Sequence, residues 1–412
     1  MNIENVVKQI ALYREKTKRE NLHIYLVGGA VRDLIMGKDP KDKDYCISGI
    51  TQKELEKLFP EAKLVGADFP VYLMNIDEDA ETEVALVRKE RKMGEGYGGF
   101  ETYTDITLTI EDDLYRRDLT INALAMDMET SGIIDPFKGR KDIQNGIIRA
   151  VSNAFAEDPL RVYRAARFAA RYEFDISAET LRLMQKLKDE LATLSGERIF
   201  LELTKVLSEK KPSIFFESLQ RADVLVEEFY FKGNQTEAHL KEVASFYQRN
   251  NKNYQTWLSR LDEMQTQDEM ERFGVFLSVF SCEEIEKMAK RIKIPKEHKQ
   301  VGLFLAEKMK TIRNWEKGSI SERVSFASHV IGHPLTKQAE SLHETEPLSW
   351  FTRAAVAADP KTKEKIETIH ETVKQIATIK ITTDEIQEKG LKGKEIGEYL
   401  MKKREKAMEE VK

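Results

Sequence analysis

Residues 22–36 read LHIYLVGGAVRDLIM, so one element ends and another begins within a few positions. The apolar run HIYLV at 23–27 predicts a short strand, which the pair Gly28-Gly29 ends. The residues from Ala30 to Met36 then predict a helix. A strand that passes into a helix at a glycine pair leaves backbone N–H groups at a positive helix end, where a triphosphate can bind.

Two aspartates follow in the segment KDKDYCI at 41–47, which predicts a second strand from Asp42 to Ile47. Alternate residues of a strand project from one face, so Asp42 and Asp44 are expected to aim two carboxylates at one spot. Like charges that close repel unless a cation lies between them. Oxygen ligands of this kind favour Mg²⁺, and two ions about 4 Å apart suit an in-line phosphoryl displacement. Either feature alone is commonly an ordinary surface turn or tight bend, but the combination is specific.

The rest of the chain changes character near Asp135-Pro136. Before it, further strands are predicted at 71–76 and 83–87, with helices at 2–19 and 52–58. After it, helical spacing dominates, at 159–172, 178–191, 196–207, 214–225, 283–310 and 384–411. Residues 234–267 are polar and predict loops with a surface helix. The pattern therefore predicts an α+β head followed by an elongated, all-helical remainder.

Composition restricts the class of protein. The 412 residues carry a net charge of −5, with 41% hydrophobic and 33% charged residues, which suggests two to four globular domains. No apolar run approaches the roughly 20 residues of a membrane span, and the first ten residues lack a signal-peptide core. Cys46 and Cys282 stand far apart with no CxxC partner. We therefore expect a cytoplasmic protein without a membrane segment.

The opening motifs belong to an ordered series. It consists of LVGGAVRD at 26–33, KDKD at 41–44, EVAL at 83–86, RKMGEGYGGF at 91–100, RRDLTINALA at 116–125, DPFKG at 135–139, EDPLR at 157–161 and GERI at 196–199. This series resembles the class II tRNA nucleotidyltransferases, or CCA-adding enzymes, and the related bacterial poly(A) polymerases of the polymerase beta superfamily. The resemblance covers about 200 residues, and its extent makes chance improbable.

The resemblance implies a role for each matching residue. Asp42 and Asp44 would bind the catalytic metals, and Gly28, Gly29 and Arg32 would handle the triphosphate. A helix that flanks the cleft would bring the sugar and phosphate contacts, from Arg117, Asp118 and Asn122. Glu83 has two interpretations, as a third carboxylate acting as general base or as a salt-bridge partner.

Asp158 and Arg161 stand three residues apart, on one face of a predicted helix. A carboxylate accepts and a guanidinium donates, so the pair matches the amino group and ring nitrogen of cytosine or adenine and clashes with uracil and guanine. The motif resemblance favours this base reading. The other interpretation is an ordinary helix start, with Asp158 as N-cap before Pro159. Arg164 continues the basic face and is a further nucleotide-binding candidate.

The predicted activity is the addition of C, C and A to tRNA from CTP and ATP. A poly(A) polymerase and a partial, CC-adding or A-adding enzyme are the alternatives. The complete enzyme is favoured because the loop at 89–103 resembles that of the full CCA-adding enzymes. The resemblance implies that this loop moves as adenine replaces cytosine, through Arg91, Lys92, Gly94, Gly96, Gly98 and Gly99; a plain surface connection is the other interpretation. Many relatives carry a phosphohydrolase domain built on adjacent His-Asp residues. In this sequence no His is directly followed by Asp, so that activity is not expected.

The family's architecture implies a four-part division of the chain. The parts are a catalytic head at 1–137, a base-reading neck at 138–212, a body at 213–320 and a tRNA-binding tail at 321–412. Basic clusters at 290–299 and 402–406 are predicted to hold the tRNA, although a solvated surface is the ordinary interpretation of each. No obligate protein partner is evident.

Overall fold

The computed structural model describes residues 2–66, 70–77, 80–92, 100–224, 245, 248, 251–264, 266, 268–342 and 346–410. Its main sheet has seven strands in the order β3-β4-β5-β2-β1-β8-β9. The strands of the chain are β1 Ile24–Val27, β2 Asp44–Ile47, β3 Lys63–Val65, β4 Val71–Asp77, β5 Ala80–Leu86, β6 Lys89–Lys92, β7 Phe100–Tyr103, β8 Ala125–Asp127, β9 Ile133–Ile134, β10 Ile147–Ile148 and β11 Asp175–Ile176. Strands β6 and β7 pair with each other in a separate antiparallel ribbon, and β10 pairs in parallel with β11.

The three central strands bring the sequence motifs to one edge of the sheet, which is the end at which β2 begins. Strand β1 runs antiparallel to β2, with Val27 opposite Asp44, so the glycine turn that follows β1 lies beside the start of β2. Strand β5 runs parallel to β2, with Tyr45 opposite Val84, so Glu83 lies beside Asp44. The register alone therefore places two carboxylates next to the Gly28-Gly29 turn.

Both faces of the sheet are covered, which explains why β1 is apolar throughout. Ile24 and Leu26 belong to one buried cluster, and Tyr25 and Val27 belong to another on the opposite face. Helices contribute to both clusters. Those before residue 228 are α1 Ile3–Thr17, α2 Gly29–Ile35, α3 Gln52–Leu58, α4 Ile110–Tyr115, α5 Gly139–Asn145, α6 Leu160–Tyr172, α7 Ala178–Lys186, α8 Gly196–Leu207 and α9 Ser213–Arg221.

The chain forms two compact units. Unit 1 comprises Met1–Glu202 with Ile214–Glu228, and unit 2 comprises Leu203–Ser213 with Phe229–Lys412. The remaining described helices are α10 Lys252–Glu263, α11 Glu269–Leu277, α12 Cys282–Ile292, α13 Lys296–Arg313, α14 Ile320–Gly332, α15 Pro334–Ser341, α16 Ser349–Ala358, α17 Lys363–Thr378, α18 Thr383–Glu388 and α19 Lys394–Glu410. Unit 2 has a core of its own, in which Trp257 is buried and donates its indole N–H to the carbonyl oxygen of Phe276 at 3.2 Å. The predicted α+β head followed by helices is confirmed, and the four-part division stays a prediction.

Several predicted boundaries differ from the structure for local reasons. The strand predicted from Asp42 begins only at Asp44, because the residues before it form a bend. The helical segment 283–310 is two helices, since Lys293 ends the first in a left-handed conformation with φ 58° and Pro295 precedes the second. No helix among the described residues is long and apolar enough to cross a membrane.

Candidate active site

The site begins at the turn between β1 and α2. Gly28 has φ +69° and ψ −127°, a conformation that favours glycine, and its N–H donates to the carbonyl oxygen of Leu124 at 2.9 Å. A Cβ atom at this position would lie 2.7 Å from Nη1 of Arg117. The glycine therefore permits both the turn and the close approach of a guanidinium to it.

Three carboxylates lie at the adjoining sheet edge. Asp42, Asp44 and Glu83 are all exposed to solvent, but protein atoms crowd around Asp44. The resulting loss of solvation raises the pKa of the Asp44 carboxyl; Glu83 and Asp42 raise it further, and Arg117 opposes them. Asp44 therefore carries an electrostatic penalty as a carboxylate, and a cation at this edge would relieve it.

The donor set fits a metal ion held jointly with a substrate. Within the described ranges, no three His, Cys, Asp or Glu side chains form a cluster that could enclose a metal. Mg²⁺ commonly takes one or two carboxylates and completes its shell with phosphate oxygens and water. Asp42 and Asp44 supply that partial set beside a turn suited to a triphosphate.

Arg32 packs beneath the glycine turn with only 5% of its surface exposed. Its Nε and Nη2 atoms each lie 2.9 Å from Oδ1 of Asp33, and its Nη1 donates to Oδ1 of Asn122. Its Cζ atom lies 5.0 Å from the ring centre of Tyr172 and 5.4 Å from that of Phe168. Protein acceptors engage three of the five N–H donors of the guanidinium, and the two rings lie against it.

Arg117 is oriented by a carboxylate that has no access to solvent. Asp113 on α4 is fully buried and accepts from Arg116 at 2.7 Å and from Nη2 of Arg117 at 3.0 Å. Burial alone would raise the pKa of Asp113, but the two guanidinium groups overcome that effect and hold the pKa below its usual value. Asp113 therefore stays ionised and fixes Arg117 against the glycine turn.

Asp118 links the segment after α4 to helix α6. Its Oδ2 accepts from Arg164 at 2.7 Å, and its Oδ1 accepts from the Leu119 N–H at 2.8 Å and from Nδ2 of Asn122 at 3.3 Å. Burial would raise the pKa of Asp118, but Arg164 and then Arg161 outweigh it and hold the pKa at about 2. The predicted helix for Arg117 and Asp118 is wrong: both lie in a bend after α4, and Asn122 ends the 3₁₀ helix Thr120–Asn122.

The prediction that Asp158 and Arg161 share a helical face is wrong: Asp158 lies in extended backbone, with φ −124° and ψ 109°, two residues before α6, and Arg161 is the second residue of that helix. Both side chains already have partners. Asp158 accepts from the Leu160 N–H at 3.0 Å through Oδ1 and from Arg198 at 3.0 Å through Oδ2. Arg161 donates to the carbonyl oxygens of Ala154 and Arg116, each at 2.8 Å. The capping contact of the ordinary interpretation is thus present in the structure. It leaves base reading possible, because each carboxylate oxygen can accept a second hydrogen bond.

Comparisons with known protein families find two matching segments, which lie mostly in unit 1. Residues 24–149 match the model for the poly A polymerase head domain, and residues 173–227 match the probable RNA and SrmB-binding site of polymerase A. A multifunctional CCA protein of Acinetobacter baumannii is 48% identical over 209 residues, which cover 50% of this chain and 49% of that relative. One of Pseudoalteromonas atlantica is 49% identical over 210 residues, or 50% of each chain. The chain spans about half the length of the curated relatives it matches.

Residues 24–149 are thus similar to the poly(A) polymerase head domain. The inferred resemblance to CCA-adding enzymes and bacterial poly(A) polymerases is thereby confirmed. Solved structures show the same fold over most of the chain. The Bacillus stearothermophilus CCA-adding enzyme in complex with CTP has a TM-score of 0.63 at 22% identity, covering 94% of this chain and 87% of that one. The Thermotoga maritima CCA-adding enzyme complexed with tRNA has a TM-score of 0.59 at 22% identity, covering 98% and 90%. Nucleotidyltransferases of this family generally use a divalent metal.

The segment predicted as a loop after β5 is partly a two-stranded β-ribbon. Strands β6 and β7 pair from Lys89 opposite Tyr103 to Lys92 opposite Phe100, so Arg91 and Lys92 lie on a strand. Lys89 forms an ion pair with Asp112 at 2.9 Å, which ties the base of the ribbon to α4. Gly94, Gly96, Gly98 and Gly99 lie outside the described residues.

The two basic clusters predicted for tRNA binding lie on helices of unit 2. Lys299 on α13 pairs with Glu286 at 2.8 Å, and Lys403 on α19 pairs with Glu385 at 2.7 Å. Arg404 is buried and donates to Oγ of Ser328 at 2.7 Å, so it does not belong to an exposed patch. The tRNA-binding role of the clusters stays a prediction.

Sequence reasoning did not identify three groups that shape the head's site. Asp113 orients Arg117, Arg198 holds Asp158, and the rings of Phe168 and Tyr172 flank Arg32. The i, i+4 spacing of Asp113 and Arg117 was an available signal. Arg198 lies 40 residues from Asp158 in the chain, and no local pattern connects them.

Proposed function

We propose that this protein adds C, C and A to the 3′ end of tRNA, using CTP and ATP and releasing pyrophosphate. The observation that carries the proposal is the sheet register, which sets Asp44 beside Glu83 and opposite the residue that precedes the glycine turn. That arrangement suits transfer of a nucleotide from a triphosphate. The curated relatives are named multifunctional CCA proteins, and solved structures of the same fold include CCA-adding enzymes with ATP, with CTP and with tRNA. Those names favour CCA addition over poly(A) synthesis.

In this proposal Asp42 and Asp44 would hold Mg²⁺ when the nucleotide is bound. The bound ions would neutralise phosphate charge and favour the ionised 3′-hydroxyl of the tRNA. The 3′-hydroxyl gives up its proton to solvent, its oxygen bonds to the α-phosphorus, the bond from that phosphorus to the oxygen that bridges to the β-phosphate breaks, and pyrophosphate leaves. Glu83 lies close enough to Asp44 to raise its pKa, which supports a role in the carboxylate group at this edge.

The arginines around the turn serve the triphosphate. Arg117, held by Asp113, approaches Gly28 and can donate to phosphate oxygens as charge develops on the leaving group. Gly28 and Gly29 allow the chain to approach the phosphates, and Arg32 supports the turn from below. Asp118 and Asn122, bonded to each other, hold the segment that contacts the sugar.

Base choice rests on Asp158 and Arg161. A second acceptor position on the Asp158 carboxylate meets the amino group of cytosine or adenine, while the carbonyl of uracil or guanine is repelled. Arg161 donates to the ring nitrogen beside that amino group, and Arg164 braces the same helix against Asp118.

The proposal is tested with Asp42→Asn and Asp44→Asn, with Asp39→Asn as the matched control. Each protein is incubated with tRNA lacking its last three nucleotides, CTP, ATP and Mg²⁺. We expect incorporation by the first two variants to fall by at least a thousandfold, because removing a carboxylate weakens the metal site. Their tRNA affinity should stay within about twofold of the parent. Asp39 is exposed and outside the site, so Asp39→Asn should retain activity. More than a few per cent of parental turnover in both site variants would refute the metal assignment.

A further inference from the structure

Helix α6 contacts the head motifs along one stripe. Arg161, Arg164, Phe168 and Tyr172 are spaced by three, four and four residues, which places them on a single helical face. Arg161 donates to the Arg116 carbonyl oxygen, and Arg164 pairs with Asp118. The stripe covers about 16 Å at 1.5 Å per residue, so one rigid element reaches from the base-reading pair to the glycine turn.

The two rings at the end of this stripe are nearly parallel, and both lie near Arg32. Phe168 and Tyr172 stack with centroids 6.1 Å apart and an angle of 4° between their planes. The Cζ atom of Arg32 lies over both rings. The Tyr172 hydroxyl also donates to Oδ1 of Asp33 at 3.4 Å. Both rings therefore contact Arg32, and Tyr172 also contacts Asp33.

An aromatic surface positions a guanidinium without using its N–H donors. Stacking engages the face of the planar group, whereas its five donors lie in the plane. Among the described residues, three of those donors have acceptors, on Asp33 and Asn122. Two donors are left for phosphate oxygens, and Nη2 lies 3.2 Å from the place a Cβ on Gly29 would occupy.

We propose that Phe168 and Tyr172 are positioning residues for the triphosphate end of the site. The stacked rings hold Arg32 under the Gly28-Gly29 turn, so that helix α6 reads the base at its first turn and aligns the triphosphate at its last. This inference rests on the proposed function, because it assumes that a nucleoside triphosphate occupies the turn. It assigns a role to two side chains that bear no charge and do not contact the reacting atoms.

The test is equilibrium binding of CTP, ATP and inorganic triphosphate to the full-length protein in the absence of tRNA. Tyr172→Leu removes one ring and should raise the dissociation constants of all three ligands by about tenfold, which lies within the range for a lost cation–π contact. The factor should be equal for CTP and ATP, because the base-reading end is unchanged. Tyr172→Phe keeps the ring and should bind within about twofold of the parent.

Phe174→Leu is the matched control. Phe174 packs against Tyr172 at 5.6 Å and beside Gly146, and it is a comparable aromatic loss away from Arg32. We expect it to leave triphosphate affinity unchanged. If Tyr172→Leu lowers stability, Tyr172→Trp restores a ring face, and recovery of stability without recovery of affinity would overturn the proposal. So would parental affinity in Tyr172→Leu, or a loss confined to one base. Failure of the parent protein to bind CTP or ATP at all would instead reject the proposed function.

Discussion

At the scale of single residues, the sequence motifs predicted which side chains gather at the site, and tertiary contacts determined how they are held. Asp44 and the glycine pair could be predicted because a short strand and a glycine turn are local properties, whereas strand alternation does not place Asp42, which lies in a bend before β2. The partners of Asp158 could not, because Arg198 comes from a different helix. Arg32 shows the same limit, since its aromatic neighbours lie more than 130 positions away in the chain.

Asp158 combines two roles that mutation can separate. Asn is as good an N-cap as Asp, but its amide N–H groups can also donate to the carbonyl oxygen of uracil or guanine. Asp158→Asn should therefore keep the stability of the parent and reduce its preference for CTP over UTP from about 100-fold to below about tenfold. Asp158→Ala should relax the choice as well and also lose about 1 kcal/mol of stability through the cap. The measurements are kcat/KM for each nucleotide and thermal unfolding.

The two interpretations of Asp158 make opposite predictions for these variants. If the residue serves only as a cap, Asp158→Asn changes neither stability nor nucleotide choice. In that case Asp158→Ala loses stability while its preference for CTP and ATP is intact, and base reading would have to be assigned to other side chains.

At the scale of elements, periodicity predicted the long helices well because apolar residues recur every three or four positions within one continuous segment. Helices α3 and α8 have the predicted bounds, Gln52–Leu58 and Gly196–Leu207. Short edge strands escaped prediction: β3 has no buried residue and β9 has two residues, so neither produces an alternating pattern. Sequence reasoning predicts a loop at β6 and β7 because their charged residues do not show the apolar and polar alternation of a half-buried strand.

The segment between β6 and β7 is predicted to adjust the site when the added base changes from cytosine to adenine, and this prediction can be tested. Replacing residues 93–99 by a short Gly-Ser linker keeps both strands and the Lys89–Asp112 ion pair. If the segment adjusts the site after the second C, CC addition should stay within about threefold of the parent and addition of the terminal A should slow by at least tenfold. Single-turnover rates on tRNA ending before C, after C and after CC provide the measurement. An equal fall at all three steps would make the segment a structural brace.

At the scale of the whole molecule, the two units contain ionisable groups that respond differently to acid. His333 in unit 2 is buried, and burial, followed by the neighbouring His329, lowers its pKa to about 4. The pKa of Asp118 in unit 1 is held at about 2. Both are below their values in an unfolded chain, so in each case the unfolded state binds the proton more readily and stability falls as pH falls.

The two groups lose their contributions to the free energy of unfolding over different pH ranges, and only that of His333 is lost above pH 4. The contribution of His333, up to about 3 kcal/mol, is complete above pH 6.5 and is lost as pH falls toward 4. That of Asp118, about 2 kcal/mol, is lost only below pH 3.8. We therefore expect hydrogen exchange, corrected for intrinsic rates, to show weakened protection of α14 and α15 at pH 5 while the Asp118 segment stays protected.

The control for this expectation is His333→Asn. His333 caps α15 by accepting from the Leu335 N–H, and Asn can replace that contact without titrating. The variant should show little change in protection between pH 7 and pH 5. Equal acid sensitivity in the variant would assign the effect to His329 or His370, whose pKa values are also lowered by burial.

The central claim, that this chain builds CCA on tRNA by reading the base with protein side chains, is tested most directly by sequencing product ends. A tRNA that lacks its last three nucleotides is incubated with the protein, Mg²⁺ and all four nucleoside triphosphates together, and the 3′ ends are sequenced. The account predicts that extension stops after C, C and A, with U and G in fewer than about one end in a hundred. A tail of many A residues, termination after CC, or unextended ends with folded protein would contradict it.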